Sequence, residues 1–188
     1  EEIVISKFKP LIGKSDKELV KQFSLEFINP KVKDYHSRVS KAIVKSVFGV
    51  PQNLKVEDYI VEFNKAEIII KTVRLQENNL PKEDISFPTF KYEELVNEDW
   101  ENSDFKNILE HKFLFVFFQF EKEKLVLRKV KFWNMPYSDL LEVEKVWTKT
   151  QEIVAKGEIV QGFKTDKNGK MSRITNFPGK KFNSVAHV

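Results

Sequence analysis

The chain has no cysteine among its 188 residues. That excludes disulfides, thiolate nucleophiles and cysteine-ligated zinc. Histidine is almost as scarce: His36, His111 and His187 are the full complement. No two of them stand at metal-ligand spacing, so a histidine-rich metal centre is not expected. The six glycines nowhere form a phosphate-cradling loop or a dinucleotide fingerprint. There is no Gly-x-Ser-x-Gly elbow and no His-Glu-x-x-His, so nucleophilic and zinc-protease catalysis have no visible constellation. No apolar run approaches the roughly 20 residues of a membrane helix, and no signal-peptide pattern opens the sequence. A soluble, cytoplasmic protein without a membrane partner is the expectation. Internal repeats and low-complexity tracts are also missing.

What the chain does contain is an ordinary globular balance, 41% hydrophobic and 32% charged, which leaves no case for disorder. Its length suffices for one well-cored domain. Phenylalanine is used 17 times. Phe113, Phe115, Phe117, Phe118 and Phe120 crowd one short segment, as in a core strand. The formal charge of +4 and pI of about 9.0 fit a polyanionic partner, but placement matters more than the total because phosphate neutralisation is local. The first residue is Glu1 rather than methionine, so a fragment of something longer is expected.

Periodicity sets out the elements. Ser15-Asp16-Lys17-Glu18 is a capping-box pattern, and Leu19, Val20, Phe23 and Phe27 follow it at helical spacing up to a stop at Asn29-Pro30. A second helix starts at Asp34, with Val39, Ile43 and Val47 four apart, and ends at Gly49-Val50-Pro51. Residues 58–75 read as extended: first Tyr59 to Phe63, then the β-branched run Glu67 to Leu75. Gln76 to Thr89 is a polar loop. A short helix is expected over Lys91 to Trp100, and another is capped by Ser103. Phe113–Phe120 and Leu125–Trp133 form a strand pair joined by Glu121-Lys122-Glu123-Lys124. A long helix spans Tyr137 to Lys156, with Leu140, Val143, Trp147, Thr150 and Val154 on one face and Gly157 as its stop. The tail holds a turn at Asp166-Lys167-Asn168-Gly169 and a basic loop at Phe177-Pro178-Gly179-Lys180-Lys181. Helices, then strands, then a helix packed against them make an α/β layered architecture.

The strand at Glu67-Ile68-Ile69-Ile70-Lys71-Thr72 carries the chemistry. Alternate residues of a strand share a face, about 6.5–7 Å apart, so an acid two residues before Lys71 would reach the same phosphate and metal as the lysine. Magnesium needs carboxylate oxygens, and Ile69 offers none. Glu67 would share the face of Ile69 and Lys71 but stands four residues from the lysine, about 13 Å along a strand. From the local pattern alone this is a buried strand with one solvated lysine, Lys180-Lys181 is a solvated loop, and Trp133 and Trp147 are core anchors.

Several stretches resemble the MutH family and its restriction-enzyme relatives that recognise GATC. They are Leu11 to Leu19, Glu67 to Leu75 with Lys71-Thr72, Ile85 to Tyr92, Trp100 to Phe105, Lys112 to Phe118, Phe132 to Pro136 and Val185-Ala186-His187-Val188. They occur in family order and cover most of the chain. The likeness is fullest to the C-terminal domain of the Sau-type GATC type II endonucleases. It implies a MutH-like, restriction-endonuclease-like fold in which a central mixed β-sheet is flanked by helices around a DNA-binding cleft, with residues 1–188 as a single DNA-binding domain.

The family's active site is an aspartate, six intervening residues, then Glu-x-Lys. Placing its lysine on Lys71 puts the glutamate position on Ile69 and the aspartate position on Glu62. The resemblance thus implies a degenerate catalytic set and an allosteric, non-catalytic module that binds duplex DNA containing GATC. The module itself would need no cofactor. An upstream MutH-like domain would be the catalytic partner, with Mg²⁺ serving the parent enzyme. The chain would be the C-terminal part of a two-unit enzyme, ending before the family's Arg-Pro recognition element. By position and charge, Lys71, Arg74, Lys180 and Lys181 are the expected phosphate contacts. Two other readings stay open: an active Mg²⁺-dependent GATC endonuclease whose metal site is rebuilt from Glu62 and Glu67, and an interaction module that serves self-association.

Overall fold

The computed structural model describes residues 1–165, 169 and 171–188, so the turn expected at Asp166-Lys167-Asn168-Gly169 lies, apart from Gly169, outside the described residues. In chain order the helices and strands are α1 (Glu2–Phe8), α2 (Asp16–Gln22), α3 (Tyr35–Val47), α4 (Val56–Tyr59), α5 (Val61–Lys65), β1 (Ile68–Leu75), α6 (Tyr92–Asn97), α7 (Asp104–Glu110), β2 (Lys112–Glu121), β3 (Lys124–Trp133), α8 (Tyr137–Ala155), β4 (Gln161–Thr165) and β5 (Met171–Thr175). They fall into two compact units. The first is Glu1–Ser86 with His111–Asn134, and the second is Phe87–Glu110 with Met135–Val188.

The first unit is α/β, built on a mixed three-stranded sheet in the order β1-β2-β3, with β1 parallel and β3 antiparallel to β2. The phenylalanine-rich segment is its centre. Leu114, Val116 and Phe118 point into a core shared with Phe8, Leu19, Val39, Ile43 and Phe63 from the helices. Phe113 and Phe115 fill the opposite face and are buried as well. A strand buried on both faces reads as a continuous apolar run, which is why this segment was legible.

One extra residue keeps β3 in step with that core. The pairing runs Leu114↔Phe132, Val116↔Val130, then Phe118↔Leu127 and Phe120↔Leu125, with Arg128 as the bulged residue. Without the bulge, the two-residue side-chain period would place either Leu125 and Leu127 or Val130 and Phe132 on the wrong face. Arg128 itself is exposed and paired with Glu121 at the hairpin end.

Both outer edges of the sheet are partly covered. The segment Gly13–Asp16 covers β3: Gly13 N donates to Leu127 O (2.8 Å), Leu127 N to Lys14 O (3.1 Å) and Leu125 N to buried Asp16 Oδ1 (3.3 Å). The capping box expected at Ser15 is present, Ser15 Oγ accepting from Glu18 N while Glu18 accepts from Ser15 N, so one short segment starts α2 and masks a strand edge. On β1, Ile70 N donates to Glu57 Oε1 (2.9 Å).

Two expectations need correction here. The helix capped by Ser15, α2, does not reach Phe27 but stops at Gln22. Ser24 takes a left-handed conformation (φ 53°), and Leu25 N donates to Val20 O (2.9 Å), a 6→1 closure that turns Leu25 into the core. Tyr59 to Phe63 is not a strand: Tyr59 ends α4, Ile60 is a single extended residue, and Val61 to Phe63 open α5. Val56, Ile60 and Phe63 stand at helical i, i+4, i+7 spacing and pack into the same core, a pattern that the short apolar run concealed.

The second unit packs α6, α7 and α8 around Leu95, Trp100, Leu109, Leu140, Val143 and Trp147. Leu140, Val143, Trp147 and Val154 are the stripe expected on the long helix. Gln151 of α8 donates to the carbonyls of Leu95 and Glu98 (2.7 Å each), groups that the end of α6 would otherwise leave unmatched. Gly157 ends α8 in a left-handed conformation (φ 66°), with Glu158 N bonded to Ile153 O (3.0 Å). The strands β4 and β5 form a separate antiparallel ribbon, which the expected loop-like tail did not include.

The bulge separates two deletions. Deleting Arg128 removes the extra residue and leaves Leu127, Lys129 and Val130 in plain alternation, so urea unfolding should stay cooperative, whereas deleting Val126 makes Leu125 and Leu127 adjacent and should turn one of them out of the core at about 2–5 kcal/mol. Arg128→Ala removes only an exposed ion pair and should shift stability by less than about 1 kcal/mol.

Candidate functional site

The register of β1 fixes what surrounds Lys71. Ile69, Lys71 and Val73 pair with Phe113, Phe115 and Phe117, which pair in turn with Trp133, Lys131 and Lys129. Side chains of paired residues share a face, so one side of the sheet carries Lys71, Lys129 and Lys131 over an aromatic floor. Lys71 and Lys131 stand two strands apart, roughly 10 Å between backbones. Lys129 and Lys131 are exposed and Lys71 is half-buried. The floor itself is ordered: Phe113 and Phe115 stack at 5.8 Å, and Trp133 meets both at 5.9 and 5.6 Å. Ile69 lies alongside Phe113, so the position two before Lys71 is occupied by a hydrocarbon in an apolar row.

Lys71 Nζ donates to Ser86 O at 2.9 Å. Burial holds its ammonium below the usual lysine range, the nearby Glu57 carboxylate partly offsets this, and Lys41 adds to the lowering. Glu57 is the acid that sequence reasoning missed. It sits 14 residues before Lys71 in α4, and only the fold of α4 and α5 brings its carboxylate to Ile70 N. The acids nominated from sequence are elsewhere. Glu62 is exposed on the first turn of α5. Glu67 does not belong to the strand: its backbone is left-handed (φ 49°), and its carboxylate lies 3.5 Å from His111 Nε2. The premise that Glu67 shares the Ile69–Lys71 face is therefore corrected. A residue at positive φ leaves the alternation of the strand that follows it.

These side chains do not fit a magnesium site. Mg²⁺ calls for near-octahedral oxygen ligands including carboxylates, whereas β1 itself carries none and the Glu57 carboxylate that reaches it from α4 is already bonded to the Ile70 amide. Among the described residues no cluster of three or more His, Cys, Asp or Glu side chains is arranged to hold a metal.

Arg74 is largely buried and paired with Glu83. Its strand end is wrapped by the following loop, where Lys82 N donates to Arg74 O (2.8 Å) and Lys82 Nζ sits 4.2 Å from the centre of the Phe120 ring. A phosphate would have to displace Glu83 to reach Arg74. Lys180 and Lys181 belong to the second unit, on an exposed turn between buried Pro178 and buried Asn183. That turn is built rather than slack. Phe182 N donates to Gly179 O (2.8 Å), and Val188 N to Pro178 O (2.9 Å). Asn183 donates to Glu142 Oε2 (2.9 Å) and accepts from Val185 N (2.8 Å) and Ala186 N (3.1 Å). Lys71 and Arg74 thus share one strand of the first unit, whereas the lysine pair stands on the second. Lys129 and Lys131 had a signal in the alternation of Leu125–Trp133, but their alignment with Lys71 is a property of pairing.

The cost of burying the Lys71 ammonium has a defined sign. Below its lowered folded value the native state holds a charge that the unfolded chain solvates better, and the penalty fades as pH climbs towards the ordinary lysine value of 10.5. Lys71→Met should therefore raise the urea midpoint at neutral pH, with the gain shrinking towards that value. A gain independent of pH would rule out the buried charge as its source.

No family model matches the sequence. In a comparison with curated proteins the chain is similar to the type II restriction enzyme Sau3AI of Staphylococcus aureus, at 32% identity over 199 aligned positions. The alignment takes in the whole chain but spans only 40% of the length of that restriction enzyme.

Proposed function

We propose that this chain is a MutH-like, restriction-endonuclease-like domain that binds duplex DNA containing GATC without cutting it. In this reading it acts as an effector for a catalytic MutH-like unit of the same enzyme, within the cytoplasm. It needs no cofactor of its own, and Mg²⁺ serves the catalytic unit. The observation that carries the reading is Lys71. In a chain similar to a restriction enzyme, Lys71 stands on a strand of the sheet, and the residue two before it, where the MutH resemblance puts an acid, is the half-buried Ile69. The fold supports binding over hydrolysis, since Lys71, Lys129 and Lys131 line one sheet face and no carboxylate cluster among the described residues is arranged to hold a metal. Lys71, Lys180 and Lys181 are the proposed phosphate contacts, and Arg74 joins them only by exchanging Glu83 for phosphate.

Titration of a labelled GATC duplex at increasing salt tests this. Affinity should fall with a log–log slope of about one per phosphate contacted. Lys71→Met should weaken binding and lower that slope by about one, irrespective of sequence. The wild-type chain should leave the duplex intact in Mg²⁺. Salt-independent binding would remove the phosphate contacts from the proposal. Mg²⁺-dependent cleavage lost in Glu57→Ala or Glu62→Ala would establish the nuclease reading instead.

A further inference from the structure

The β4–β5 ribbon has little burial of its own: of its described strand residues all but Gly162 are exposed. Phe163 is 71% and Met171 64% accessible, a high exposure for large apolar side chains on a two-stranded ribbon. Such a ribbon is marginal in water without a surface against one face. The register decides what each face holds. Gln161, Phe163 and Thr165 pair with Thr175, Arg173 and Met171, so these six side chains form one face. The other presents Gly162, Lys164, Ser172 and Ile174. Arg173 donates to Gln161 Oε1 across the first face, which holds the two planar groups side by side.

Charge selects the occupant. From residue 159 to 188 the sequence has six basic residues and one acid, whereas 87–110, in the same unit, has two basic residues and seven acids. The basic character of this unit is thus concentrated in the segment that contains the ribbon, and it fits a polyanion. The dimensions fit a duplex. A two-stranded ribbon enters the major groove, and residues 161 to 165 extend about 14 Å, the rise of about four base-pair steps. The chemistry of the six-residue face is that of base reading: arginine for guanine, glutamine for adenine, apolar groups and threonine for thymine methyls.

We infer that the β4–β5 ribbon is a base-reading element, with Arg173, Gln161 and Phe163 facing the major groove of duplex DNA. This rests on the DNA-binding reading above and assigns its sequence preference to the ribbon rather than to Lys71.

The test uses the whole chain, a short duplex carrying one GATC and a scrambled duplex of the same composition. Wild type should prefer the GATC duplex. Arg173→Lys keeps the charge but loses the two-pronged donor, and should cut that preference about tenfold or more while leaving scrambled-duplex affinity near wild type. Phe163→Ala should lower the preference in the same direction. Because both side chains are exposed, a circular dichroism melt should be unchanged. A preference retained in both variants, or absent from the wild type, overturns the assignment while DNA binding stands. Failure of wild type to bind either duplex instead removes the DNA-binding reading itself. Wild-type dimerisation abolished by Phe163→Ala, with the preference intact, would make the ribbon a self-association surface and also overturn the assignment.

Discussion

The first unit depends on a strand that is buried on both faces. β2 gives Leu114, Val116 and Phe118 to the helical core and Phe113 and Phe115 to the opposite side, so both neighbours must match its register on two faces at once. Such a strand tolerates no slip, because a shift of one residue exchanges the entire contents of its faces. β3 meets the demand with the Arg128 bulge, and β1 with an unbroken parallel register. The alignment of Lys71 with Lys131 is a consequence: both are neighbours of Phe115.

The same constraint accounts for the character of the Lys71 position. A row that begins with Phe113 and continues through Phe115 and Trp133 is a poor place for a metal-bound carboxylate, because a buried charge without a partner is costly. Ile69 fits that row. Lys71 is tolerated because its long stem lies along the apolar surface while its amine reaches Ser86 O, with Glu57 close enough to offset part of the burial. Stability and charge pull in opposite directions at this residue. A lysine kept at such a cost is consistent with the proposed phosphate contact.

Edge protection ties sequence signals to that arrangement. The Ser15 capping box is a local device, yet its segment also bonds Leu125 and Leu127 across more than a hundred residues of chain. Glu57 does the same for β1 at Ile70. Both edges are covered in part by loop or side chain, which blunts them as templates for further strands. The ribbon of the second unit is different. Its strands leave nearly every side chain accessible, and the burial that would explain Phe163 and Met171 is not supplied by the ribbon itself.

What the sequence determined by itself was whatever depends on neighbours a few residues apart. The capping box at Ser15, the helix from Tyr35, the paired strands Lys112–Glu121 and Lys124–Trp133 and the stripe along α8 were all legible, because helical and strand periods and turn residues are local properties. Val56, Ile60 and Phe63 were misread where a helical period was too short to stand out, and the ribbon went unnoticed in a polar tail. The isoleucine two before Lys71 was plain in the sequence, but its surroundings were not. Tertiary structure alone decided that Glu57 rather than Glu62 or Glu67 lies near the lysine, that Glu67 turns towards His111, and that Lys129 and Lys131 share its face. The reason is physical: strand pairing and left-handed turns act between residues far apart or at single bonds, and neither leaves a period in the chain.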